Sequence, residues 1–125
     1  MFDDMYFICY TVRRTEERRI KMKYTQEDFN NFEIKNGRKI CPSGDYTQIK
    51  SFGEKCSFGK WCFFGKECSF GEKCTFGEKC SFGKECSFGE KCSFGKECSF
   101  GEEYSFGKEC LFGERCFFKG SIFNE

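Results

Sequence analysis

The chain has 125 residues, enough for one domain or for one repeat array with a cap. Its 21 lysines and arginines nearly balance its 20 acidic residues, giving a formal charge of +1, so no global field draws it to nucleic acid or to a membrane surface. Histidine is absent while phenylalanine (19) and cysteine (12) are over-used, and no stretch approaches the roughly 18 apolar residues of a membrane span.

Residues 1–49 read as an N-terminal β-hairpin and cap segment. Met5 to Val12 is apolar but short, and Asp3 and Asp4 precede it where a signal peptide would carry positive charge. The expectation is a cytoplasmic protein, whose thiols stay reduced and need not form a disulfide framework. Tyr6 to Tyr24 reads as two strands around Arg14-Thr15-Glu16-Glu17, with Ile20, Met22 and Tyr24 alternating. Arg13, Arg14, Arg18 and Arg19 make this segment the one basic cluster, a candidate contact for phosphates or an acidic protein. Thr25 can cap a short helical turn through Phe29. Phe32 to Ile40 then reads as a hairpin on Asn36-Gly37, a strong type I′ turn signal. Pro42-Ser43-Gly44 forms the junction, and Gly44-Asp45-Tyr46 reads as a degenerate first repeat.

Residues 50–118 are an array of six-residue repeats, Cys-Ser-Phe-Gly-x-x, followed by a tail or cap at 119–125. The small column holds Cys56, Cys62, Cys68, Cys74, Cys80, Cys86, Cys92, Cys98 and Cys110, with Tyr104 as the one substitution before Cys116. The large column holds Phe58, Phe64, Phe70, Phe76, Phe82, Phe88, Phe94, Phe100, Phe106 and Phe112. Cys and Phe are two apart, so on a strand they share the inner face while Ser points out. Glycine, tolerant of positive φ, is expected to turn the chain, leaving the charged pair outside the bend. A helix is excluded, since a Gly in every hexad would cost it roughly 1 kcal/mol each. A lone hexad cannot bury its Phe but stacked coils can, which predicts an all-β, narrow parallel β-solenoid with a β-rich N-terminal cap.

The pattern small-x-large-Gly-x-x resembles the hexapeptide repeat of left-handed β-helix proteins, with Cys-x-Phe-Gly in place of small-x-aliphatic-Gly. That resemblance implies three hexads per coil. Three Phe and three Cys per layer look bulky for a triangular interior, and from Glu78 onward the corner pairs alternate Glu-Lys with Lys-Glu, apart from Glu102-Glu103, a period of twelve. Two hexads per coil is therefore favoured, with three as the alternative.

The family implied by the resemblance includes acyltransferases that use a histidine base, which this chain lacks, and no nucleophile–base constellation appears elsewhere. Zinc sites pair Cys at closer spacing, usually with His. The Cys column reads as core filler, so neither an enzyme, a cofactor, a metal nor a small-molecule substrate is expected. The repeat breaks where Phe63, Leu111 and Phe117 replace the outward Ser and Trp61 replaces a charged corner residue. These four are the candidate partner surface, for a protein or for a second copy. The expectation is a non-enzymatic structural or protein-interaction scaffold without membrane contact. The alternative is a small binder or inhibitor of a nucleic-acid machine acting through the basic segment. Such arrays look similar to stretches in uncharacterised bacterial and phage-like proteins, which fits a mobile-element origin.

Overall fold

The computed structural model describes residues 22–119 and the backbone of 122–124. The expected strands between Tyr6 and Tyr24 lie outside this range except for Met22 to Tyr24, and the basic cluster Arg13, Arg14, Arg18 and Arg19 lies wholly outside it.

A short helix, α1 (Gln26–Asn30), begins as the sequence predicts. The Thr25 hydroxyl accepts the Asp28 N–H at 3.2 Å and the Asp28 carboxylate accepts the Thr25 N–H at 2.9 Å, a reciprocal capping box. The hairpin follows, with β1 (Ile34–Lys35) antiparallel to β2 (Arg38–Cys41) and Lys35 opposite Arg38. Its two turn residues have positive φ, 52° at Asn36 and 78° at Gly37, as a type I′ turn requires.

The repeats then wind into a three-sided parallel solenoid. Its first face stacks β1 and β2 on β4 (Cys56–Phe58), β7 (Thr75–Phe76), β10 (Ser93–Phe94) and β13 (Leu111–Phe112). The second stacks β5 (Phe63–Phe64), β8 (Ser81–Phe82), β11 (Ser99–Phe100) and β14 (Phe117–Phe118). The third stacks β3 (Ser51–Phe52), β6 (Ser69–Phe70), β9 (Ser87–Phe88), β12 (Tyr104–Phe106) and β15 (Ile122–Asn124).

From β3 onward each strand pairs with the one eighteen residues on, as Ser93 with Leu111 and Phe94 with Phe112. The coil therefore holds three hexads, not the favoured two. Two physical facts account for the correction. The first is ring geometry. Within a layer, Phe76 meets Phe82 and Phe82 meets Phe88 edge to face, at 5.1 Å with planes 84° and 85° apart. Along the axis Phe76 lies over Phe94 at 4.9 Å with planes 3° apart. Both are preferred aromatic geometries, so three rings fill the triangle as a pinwheel and the Cys are displaced towards the corners. The second is charge. An alternation of period twelve stacked every twelve residues would set Glu78 over Glu90 and Lys79 over Lys91. Stacked every eighteen, it sets opposite charges together: Lys79 Nζ lies 3.7 Å from Glu97, Lys96 Nζ 3.8 Å from Glu78, and Lys91 Nζ 3.9 Å from Glu109.

The corner also turns differently from expectation. Positive φ falls on the residue before each Cys, such as Lys79 (60°), Glu85 (62°) and Lys91 (58°), not on the repeat glycines. Glycine is needed for clearance. A Cβ on Gly95 would sit 2.7 Å from the backbone nitrogen of Glu78 and the carbonyl carbon of Gly77 in the coil beneath.

All the expected core positions are buried except two: Cys110 is half-buried and Phe112 is 37 % exposed, because both belong to the C-terminal end layer. At the other end the cap extends the aromatic stack. Tyr46 takes a Phe position, its ring 5.5 Å from Phe64 and 13° off parallel, and Asp45 bridges to Phe63, so Gly44-Asp45-Tyr46 does enter the repeat register. Tyr24 stacks on Tyr46 at 5.0 Å, and Phe29 of α1 meets Phe52 edge on at 5.2 Å. That lid covers the apolar end of the column. Among the described residues no helix is long and apolar enough to cross a membrane.

Candidate functional site

The eighteen-residue coil sorts the repeat-breaking residues by face. Phe63 and Phe117 lie in the outward column of the second face, which Asp45 opens, with Ser81 and Ser99 between them. Trp61, Lys79, Glu97 and Arg115 form the corner alongside. Together these side chains line a groove of about 660 Å³. Three of the four candidate partner residues, Trp61, Phe63 and Phe117, thus meet at one site. Leu111 does not: it stands on the first face, 68 % exposed.

The corner is a rail of consecutive interactions. Lys79 Nζ sits over the Trp61 ring, 4.9 Å from its centroid, and its ion pair to Glu97 continues to Arg115, whose Nε donates to Glu97 Oε2 at 3.3 Å. Lys79 and Arg115 thus share the Glu97 carboxylate, and the cation–π contact adds Trp61 to the same row. Trp61 itself has φ of 64°, which turns the chain and sets the indole beside the face. Lys79, Ser81, Glu97, Ser99 and Arg115 were not singled out from the sequence. Their signal is the Lys/Glu alternation, which identifies neighbours only once the coil length is known.

The cysteines are placed for packing. From Cys74 onward the thiols donate to the carbonyl of a glycine in the coil beneath, as Cys80 to Gly59 at 3.5 Å and Cys98 to Gly77 at 3.4 Å, whereas Cys62 and Cys68 reach the glycine three residues earlier in their own coil. Within a stacked pair one thiol can hold the other protonated, while in the pair of Cys68 and Cys86 the contact pushes Cys68 up and Cys86 down. The hydrogen bond with Cys41 is the main cause that pushes Cys56 up to about 12, and that with Cys62 does the same for Cys80. A free thiol here is a small hydrophobe with one weak donor that satisfies a buried carbonyl.

A family model described as an RNA-binding, Nab2-type zinc finger matches residues 61–77, 67–83, 79–95 and 97–119. No curated protein and no solved structure matches the chain. The comparison corrects the kinship expected from the sequence, since what the repeat region matches is a zinc-finger model and not the hexapeptide-repeat β-helix class. The matched segments cover less than half of the chain, and their starting points differ by multiples of six, so the match follows the Cys spacing of the hexads.

The residues do not fit zinc. A CCCH ligand set needs a histidine, and the chain has none. Ligands must also converge on one point. Cys62, Cys68 and Cys74, the cysteines of the first matched segment, precede strands on three different faces, around the Phe column. Among the described residues no group of three or more Cys, Asp or Glu could hold a metal, and no polar or charged side chain is buried.

Proposed function

We propose that the chain is a non-enzymatic interaction scaffold: a rigid three-sided rod that engages a protein surface through its second face. The observation that carries this reading is the groove bounded by Trp61, Phe63 and Phe117, the place where aromatic residues break an otherwise uniform hydroxyl column. Aromatic anchors beside a polar rim are the usual composition of a protein contact. The wholly apolar interior supports a role for the rod as shape and spacing. Reduced thiols suit the cytoplasm, where we place it.

The test compares capture by the wild type with capture by a Trp61→Ala, Phe63→Ser double variant, with Ser105→Ala on the third face as control. All three should melt cooperatively. The double variant should lose association at least about tenfold and the control should keep it. Equal association by the double variant, with its fold intact, would remove the second face from consideration.

A further inference from the structure

The groove carries a pattern that its depth alone does not explain. Three columns along the second face are each complementary to their own reversal. The outward column runs Phe63, Ser81, Ser99, Phe117. The rail runs Trp61, Lys79, Glu97, Arg115, so that reversing it sets Trp against Arg and Lys against Glu. The next column runs Lys60, Glu78, Lys96, Glu114, and reversal again sets Lys against Glu throughout. All three share one midpoint, the gap between the coils of Ser81 and Ser99.

We infer that the occupant of this face is a second copy of the chain, docked antiparallel about a two-fold axis that runs along the strands through that midpoint. The inference rests on the proposed role of the second face and names its partner. A two-fold axis in this direction keeps each corner opposite the same corner of its mate and reverses the order of the coils. Lys79 then meets the partner's Glu97, and Trp61 meets the partner's Arg115, a cation over an indole. Ser81 faces the partner's Ser99, small against small. At the far corner Lys84 meets the partner's Glu102. Glu85 opposite the partner's Glu103 is the one like-charged match, and both are exposed. An isologous contact of this kind closes on itself and makes a dimer, not a fibre. End-to-end growth is blocked at the N-terminal end by α1 and its aromatic lid.

Four coils offer a small face, at or below about 1,000 Å² over both copies, the size of a weak, transient contact; a dissociation constant of tens of micromolar would populate the dimer at about 100 µM and leave monomer near about 1 µM. Sedimentation velocity on the full chain reads this directly. Lys79→Glu sets two pairs of carboxylates against each other across the axis, and Glu97→Lys sets two pairs of ammonium groups. Each variant alone should self-associate at least about tenfold more weakly than the wild type. An equimolar mixture of the two restores both pairs and should recover association to within about threefold of the wild type. Circular dichroism checks that each variant remains folded.

A wild type that stays monomeric at about 100 µM overturns the inference, and so does a wild-type dimer that the mixture of variants does not rescue. If the chain is monomeric but the Trp61→Ala, Phe63→Ser variant still loses a foreign protein, the second-face reading survives without the dimer. If a dimer forms and that double variant leaves it unchanged, both readings fall.

Discussion

Two residues divide the work at each corner. Glycine gives clearance, and the residue before Cys gives the left-handed turn. The strain of a non-glycine residue at φ near 60° is about 1–2 kcal/mol, and the array carries it at every corner from Lys55 to Arg115. The clearance role makes a sharp prediction. Gly95→Ala drives a Cβ into the backbone of Gly77 and Glu78 and should cost about 2–3 kcal/mol. Gly53→Ala, in the first coil with nothing within 4 Å, should change stability by less than about 0.5 kcal/mol. Urea unfolding of the two variants measures both, and equal losses would return glycine to the turning role read from sequence. That misreading has a simple origin: Gly-x-x announces a corner, but backbone clearance between coils depends on which coil lies beneath.

At the scale of the strand and its column, the cysteines couple stability to pH. The folded thiols of Cys56 and Cys80 are pushed up to about 12 and that of Cys74 to about 11, each led by a hydrogen bond to the neighbouring thiol. In the unfolded chain a thiol titrates near about 8.5. The unfolded state therefore releases protons first as pH rises, and folding stability falls. The stabilisation is complete below about pH 8 and is withdrawn between about pH 8.5 and the folded values, at up to about 1.4 kcal/mol per pH unit for each such thiol. Urea midpoints at pH 7, 8, 9 and 10 should fall only in the last two, and a flat series would contradict the buried ladder. Much at this scale was legible in the sequence. The Thr25 cap, the Asn36-Gly37 turn and the inward Cys and Phe columns follow from local chemistry. The coil length does not. Side-chain volume argued for two hexads, whereas the edge-to-face meeting of Phe76, Phe82 and Phe88 is a directional property that volume omits. The corner charges were read as a period when they are a complementarity: Glu78 seeks Lys96, not Glu90.

For the whole molecule, the core and the outer surface obey different periods. Apart from the hexad of Tyr104, each hexad from Cys56 brings one Phe and one Cys inward, so the interior repeats every six residues. The groove of Trp61, Phe63 and Phe117 exists only because eighteen residues close a coil. Grouping these residues required the coil length, since a twelve-residue coil would set Phe63 in line with Leu111 and the eighteen-residue coil sets it in line with Phe117. Replication slippage adding one hexad to the gene would thus be almost silent inside and a rotation by one third of a turn outside. Inserting Cys-Ser-Phe-Gly-Glu-Lys after Glu85 should leave the melting temperature within a few degrees, about what loss of exposed ion pairs costs. It would bring Lys91 to the level of Glu97 and Glu90 to that of Lys96, so reversal would set like charges together, and sedimentation should show the self-association gone. Preserved association in such an insertion would mean that the surface columns do not matter. A lineage of such chains could therefore vary freely in copy number for folding, while for recognition each added hexad changes which residues share a face.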